Sequence, residues 1–208
     1  RIYFQLLLIM ILAVTNAFTS IAQQKSINQK VDSVLRLMTT EEKIGQLNQY
    51  NDNWKATGPV TVDNDKATQI RKGQVGSLLN CLGTERTRSW QNIAMQSRLK
   101  IPLLFGQDVI HGFKTTFPIP LAEACSWDLE AMQLAARIAA TEASASGIHW
   151  SFAPMVDIAR DPRWGRVMEG AGEDTYLGTK IGIARIKGFQ GDDLAANNTI
   201  AATAKHFA

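Results

Sequence analysis

Residues Ser151–Asp174 read S-F-A-P-M-V-D-I-A-R-D-P-R-W-G-R-V-M-E-G-A-G-E-D, and the chain is organised around them. The stretch opens as a strand. Phe152, Ala153, Met155, Val156 and Ile158 form an apolar run of the kind buried on both faces of a parallel sheet. Pro162 and Gly165 then stop regular structure and predict a loop. That loop carries Arg160, Arg163, Arg166 and Trp164 beside Asp157 and Asp161, with Glu169, Glu173 and Asp174 close behind. Two readings fit. Carboxylates can hold a guanidinium in a fixed pose for a polyol, with Trp164 against the apolar face of a sugar. The same groups can also form a salt-bridged loop with a structural role alone.

Outside this stretch the composition is ordinary. The chain has 208 residues, 45% hydrophobic and 20% charged, with a formal charge of +3. That charge is too small to point to nucleic acid or an anionic membrane surface. No internal repeat or low-complexity run is present. At the start, Arg1 precedes an apolar run from Leu6 to Val14, and Ser20-Ile21-Ala22 offers a small-x-small cleavage site. Residues 1–22 therefore read as a secretory leader. The run is shorter than the roughly 20 apolar residues of a membrane span. Export predicts a periplasmic or secreted protein. The two cysteines, Cys81 and Cys125, lack metal-ligand spacing and read as buried free thiols, with a single bridge left open. No metal cluster and no cofactor are expected.

The elements alternate. Val31, Val34, Leu35 and Met38 share one helix face, and Thr39 with Glu42 makes a capping box opening a second helix whose apolar side is Ile44 and Leu47. Residues 51–72 read as loop and short helix, 75–79 as a strand, and 84–99 as a helix with Trp90 facing the core. Leu103–Gln107 is a strand that discharges into Asp108-Val109-Ile110-His111. Asp128 caps a long helix lined by Met132, Ala135, Ala136, Ala139 and Ala143 and ended by Gly147. A helix over 176–190 and a strand over 200–204 follow, and Asn197-Asn198-Thr199 fits a glycan acceptor. Strands at 75–79, 103–107, 151–158 and 200–204 alternating with helices predict α/β architecture with a parallel sheet. Asp108 at a strand exit reads either as a functional carboxylate or as the cap of a turn. Lys205 and His206 at another exit can donate to hydroxyls or simply be solvated.

Three segments together resemble glycoside hydrolase family 3: R-D-P-R-W-G-R at Arg160–Arg166 with E-x-x-x-E-D at Glu169–Asp174, G-Q-D-V-I-H-G at Gly106–Gly112, and K-H-F-A at Lys205–Ala208. They fall in the family's order, and the likeness runs from Met38 to the last residue. The resemblance implies a (β/α)8 TIM barrel, of which residues 23–208 are the N-terminal half, since such a barrel takes about 250 residues. It implies hydrolysis of terminal β-D-glucosyl residues with retention, on a β-glucoside or oligosaccharide substrate. Asp108, Arg166, Lys205 and His206 then clamp the terminal sugar. Asp161 and Glu169 orient the arginine, Trp164 supports the site, and His111 either serves there too, since it matches a family position, or only braces its loop. The family's nucleophilic Asp and acid/base Glu have no match in this sequence and are expected beyond Ala208, so the piece alone is expected to be inactive. Other readings are a β-N-acetylhexosaminidase or β-xylosidase of the same family, a non-catalytic sugar-binding barrel, and a phosphate-binding barrel. Ala208 in place of the hexosaminidase proline favours the glucosidase. The absence of a Gly-rich cradle disfavours phosphate.

Overall fold

A computed structural model of the chain describes residues 26–52 and 65–206. The leader expected at 1–22 lies outside them. No helix among the described residues is long and apolar enough to cross a membrane. The chain divides into two units, residues 1–38 and 39–208. The first holds α1 (Ile27–Leu37), opened by a capping box in which Ser26 Oγ accepts from the Gln29 amide and the Gln29 side chain accepts from the Ser26 amide.

In the second unit α2 (Thr40–Gln46) starts at the expected box, with Thr39 and Glu42 exchanging hydrogen bonds. Its buried side differs from the expected one: Ile44 and Leu47 are exposed, and Glu42 and Gly45 are buried. The reason is a close backbone approach. A Cβ on Gly45 would lie 2.5 Å from the Gln74 Cα, so only glycine lets the two segments meet. Glu42 is fixed by Arg98, whose Nε donates to Oε1 at 3.0 Å.

Among the described residues the sheet has four parallel strands in chain order, β1 (Gln49–Asn51), β2 (Ser77–Leu79), β3 (Leu104–Gln107) and β4 (Trp150–Ser151). β1 is not among the strands expected from sequence. Three residues, two of them amides, carry no apolar period to read. Helices return the chain between strands, as parallel pairing requires. They are α3 (Lys66–Arg71), α4 (Thr84–Ala94), and then α5 (Pro120–Ala124) with α6 (Leu129–Ala145). A 3-10 turn at Val167–Glu169 and α7 (Thr175–Gln190) follow β4. α4 stops five residues short of the expected end.

Two expected strands are much shorter than predicted. Of 151–158, only Ser151 belongs to a strand, and of 200–204 only Ala201 is bridged. The two segments still run side by side. Trp150 pairs with Ala201 and Met155 with Lys205, so five steps on one side match four on the other. One surplus residue is a bulge, and it breaks the ladder where Pro154 has no N–H to give. The peptide bonds Ala153–Pro154 and Lys205–His206 are cis.

The core lies between sheet and helices. Leu78, Phe105, Val109, Ile148, Phe189 and Ile200 are buried with the alanines of α6. Those alanines let α7 approach closely. A Cβ on Gly188 would lie 2.6 Å from that of Ala136. Asp128 caps α6 by accepting from the Ala131 amide at 2.9 Å, and Gly147 follows its end at φ +88. Trp90 packs against this core and donates Nε1–H to Asp52 at 2.9 Å. Cys81 is buried as expected, whereas Cys125, at the end of the five-residue α5, is exposed.

Candidate functional site

In a parallel sheet every strand exit lies at the same end, so groups far apart in sequence can meet there. Two such groups do. Lys205 Nζ donates to Asp108 Oδ1 at 2.9 Å, joining the exit of β3 to the last segment. The lysine side chain is 12% exposed and the aspartate 45%. An ionised carboxylate has about four acceptor positions, so Asp108 keeps capacity for hydroxyl donors.

The second group is built on Arg166. Its Nε and Nη2 donate to the two Glu169 oxygens at 2.7 and 2.6 Å, a bidentate fork three residues apart. Its Nη1 lies 3.1 Å from His206 Nε2. A guanidinium donates only, so Nε2 must accept. The proton of the neutral ring is then on Nδ1, which lies 2.8 Å from Asp157 Oδ2. The same oxygen accepts the His206 amide at 3.2 Å. Glu169 raises the Arg166 pKa, and the charges of Asp108 and Asp157 add to it. Arg166 in turn holds Glu169 below its usual value, assisted by Lys205 and His206. The two groups therefore share one electrostatic field, and Asp108, Arg166, Lys205 and His206 converge.

The supporting residues divide. Glu169 holds the Arg166 guanidinium in its fork. Asp161 does not take that part: its carboxylate accepts from Arg163 Nε at 3.0 Å and from the Arg163 amide at 2.9 Å, and Arg163 is exposed. The two-residue spacing lets Asp161 close a local turn on its own loop. Trp164 is 38% exposed, and its amide donates to the Asp161 carbonyl, so it belongs to that turn. His111 braces its loop, with Nδ1 3.0 Å from the Phe117 carbonyl. Glu142 pins the same loop by accepting from the Lys114 and Thr115 amides at 2.7 and 2.8 Å.

Asp157 is the residue missing from the sequence-based set. It was visible in the loop, but its partner lies 49 positions away. Among the described residues no group of three or more His, Cys, Asp or Glu side chains is placed to hold a metal ion.

Comparison with known proteins gives this geometry a setting. The chain is 43% identical over 182 residues to the periplasmic β-glucosidase of Salmonella typhimurium, covering 86% of this chain and 23% of that protein. A β-xylosidase of Formosa agariphila is 36% identical over 129 residues, covering 56% and 18%. The crystal structure of a β-glucosidase from Listeria innocua in complex with isofagomine superposes with a TM-score of 0.79 at 40% identity, covering 88% of this chain and 26% of that one. The chain thus spans about a quarter of the length of the relatives it matches. The description "Glycosyl hydrolase family 3 N terminal domain" matches residues 39–208, and the chain belongs to that family.

Proposed function

We propose that the protein carrying this sequence is an exo-acting β-glucosidase that works with retention, and that this chain supplies its clamp for the terminal sugar. The observation that carries the reading is the convergence of Asp108, Lys205, Arg166 and His206 from separate strand exits. A neutral pyranose offers hydroxyls to accept from Arg166 and Lys205 and to donate to Asp108. These bonds position the sugar and tighten as positive charge develops in the transition state. The nucleophilic Asp and acid/base Glu come from chain beyond Ala208, and the 208-residue piece alone is inactive. The sequential parallel order fits the first strands of a (β/α)8 barrel, because a doubly wound sheet would reverse its order. Residues 1–22 act as an export leader, and the mature protein works in the periplasm or outside the cell. The Salmonella relative's name supports that location.

A β-xylosidase is the second reading, favoured by the Formosa relative. The two are separated by assaying the full-length protein on aryl β-glucosides, aryl β-xylosides and aryl N-acetyl-β-glucosaminides. The glucoside is expected to give the highest kcat/KM, with a strong loss in Asp108→Ala and Arg166→Ala. Unchanged kinetics in both variants would remove the clamp.

A further inference from the structure

Asp108 stands on a loop whose next three carbonyls are all held, the first two by donors from distant segments and the third from within the loop. Ser151 Oγ donates to Val109 O at 3.4 Å, Arg185 Nη2 donates to Ile110 O, and the Phe117 amide donates to His111 O at 2.8 Å. The middle contact is unusual. Arg185 comes from α7, 75 positions away, and its side chain is 5% exposed. Its Nη1 donates to Glu123 of α5, which is 8% exposed. Burial lowers the Arg185 pKa and raises that of Glu123, and each effect is opposed by the partner's charge. Such a pair adds little to stability compared with apolar residues of the same volume. Arg185 also lines a cavity of 10 Å³ together with Ile110, Met155 and Glu169. That volume is at the threshold for one water. The arginine is therefore joined to the Asp108 loop through the Ile110 carbonyl, and it shares a cavity wall with Glu169, the partner of Arg166.

We propose that Arg185, with Glu123 as its buried counter-ion, is a positioning residue that sets the Asp108 loop for sugar binding. The inference rests on the clamp reading above. A lysine cannot replace it, because its point charge lacks the planar fork that reaches a carboxylate and a carbonyl together.

The test uses the full-length protein with Arg185→Met, the apolar pair Glu123→Leu/Arg185→Met, and each of these combined with Asp108→Ala. Thermal midpoint and kcat/KM on an aryl β-glucoside are measured. Arg185→Met alone lowers the midpoint, since Glu123 is left buried and unpaired, and the paired swap restores it. The paired swap nonetheless lowers kcat/KM by about 10- to 100-fold, the effect of a misplaced binding group. In the Asp108→Ala background it lowers kcat/KM no further, because both changes act on one interaction. Wild-type kcat/KM in the paired swap, or full additivity with Asp108→Ala, overturns the proposal. Should the paired swap not fold, Arg185→Lys reads the same point: it keeps the ion pair, and wild-type kcat/KM there overturns the proposal equally. An Asp108→Ala variant as active as wild type removes the clamp reading and this inference with it. A defective Asp108→Ala beside an unimpaired swap removes the inference alone.

Discussion

Replacing Asp157 by alanine tests the least expected part of the site. Its carboxylate holds His206 twice, through the ring Nδ1 at 2.8 Å and the backbone amide at 3.2 Å. With Nδ1–H fixed on Asp157, Nε2 is committed to accepting from Arg166. Without Asp157 the ring can turn or change tautomer, and the Arg166 guanidinium loses one of its two partners. A hydrogen bond to a charged group contributes about 1.5–3 kcal/mol. The side chains of Asp157 and His206 are 25% and 44% exposed, so water recovers part of this and the lower end applies. At 1.36 kcal/mol per decade, kcat/KM on an aryl β-glucoside falls by about tenfold in the full-length protein. Asp157→Asn keeps an acceptor without the charge and falls between the two, since a neutral bond is about half as strong. Asp157→Ala kinetics equal to wild type, in a protein where His206→Ala is defective, would refute the reasoning.

Two further outcomes follow from the same contacts. Arg166 depresses the Glu169 pKa, so the stability that Glu169 contributes is complete above its ordinary value of 4.5 and disappears as pH falls through the lowered folded value. Urea unfolding of wild type and Glu169→Gln against pH should show curves that separate near neutrality and merge in acid; a gap that persists at the acid end would contradict this. Burial beside Asp52 pushes the Cys81 thiol up to about 12, while Cys125 is exposed. Mass spectrometry after alkylation at mildly alkaline pH should find Cys125 modified in the folded protein and Cys81 modified only after denaturation; native-state labelling of Cys81 would count against the packing around β2.

Much of the site was legible because its motifs are local. The R-D-P-R-W-G-R loop holds its own arginine through Glu169, three residues on. Thr39 with Glu42, and Asp128 ahead of α6, satisfy helix amides within a few positions, so their roles follow from spacing. Asp161 shows the limit. Sequence placed it near three arginines and could not say that Arg163 would take it, because each was sterically reachable. The strands were harder. β1 has three residues and β4 two, too few for a period to show, and the bulge at Pro154 ended the run at 151–158 early.

Residue type, short spacing and the order of three motifs make the family and the parallel α/β alternation readable from the chain alone, and they single out the charged residues proposed as the clamp. The tertiary structure decided which charges meet. Lys205 finds Asp108, His206 finds Asp157, and Arg185 finds Glu123 and the Ile110 carbonyl, across separations of 97, 49, 62 and 75 positions. No local pattern encodes such pairings. They exist because parallel strands bring their exits to one end, and because a buried charge must find a partner within reach.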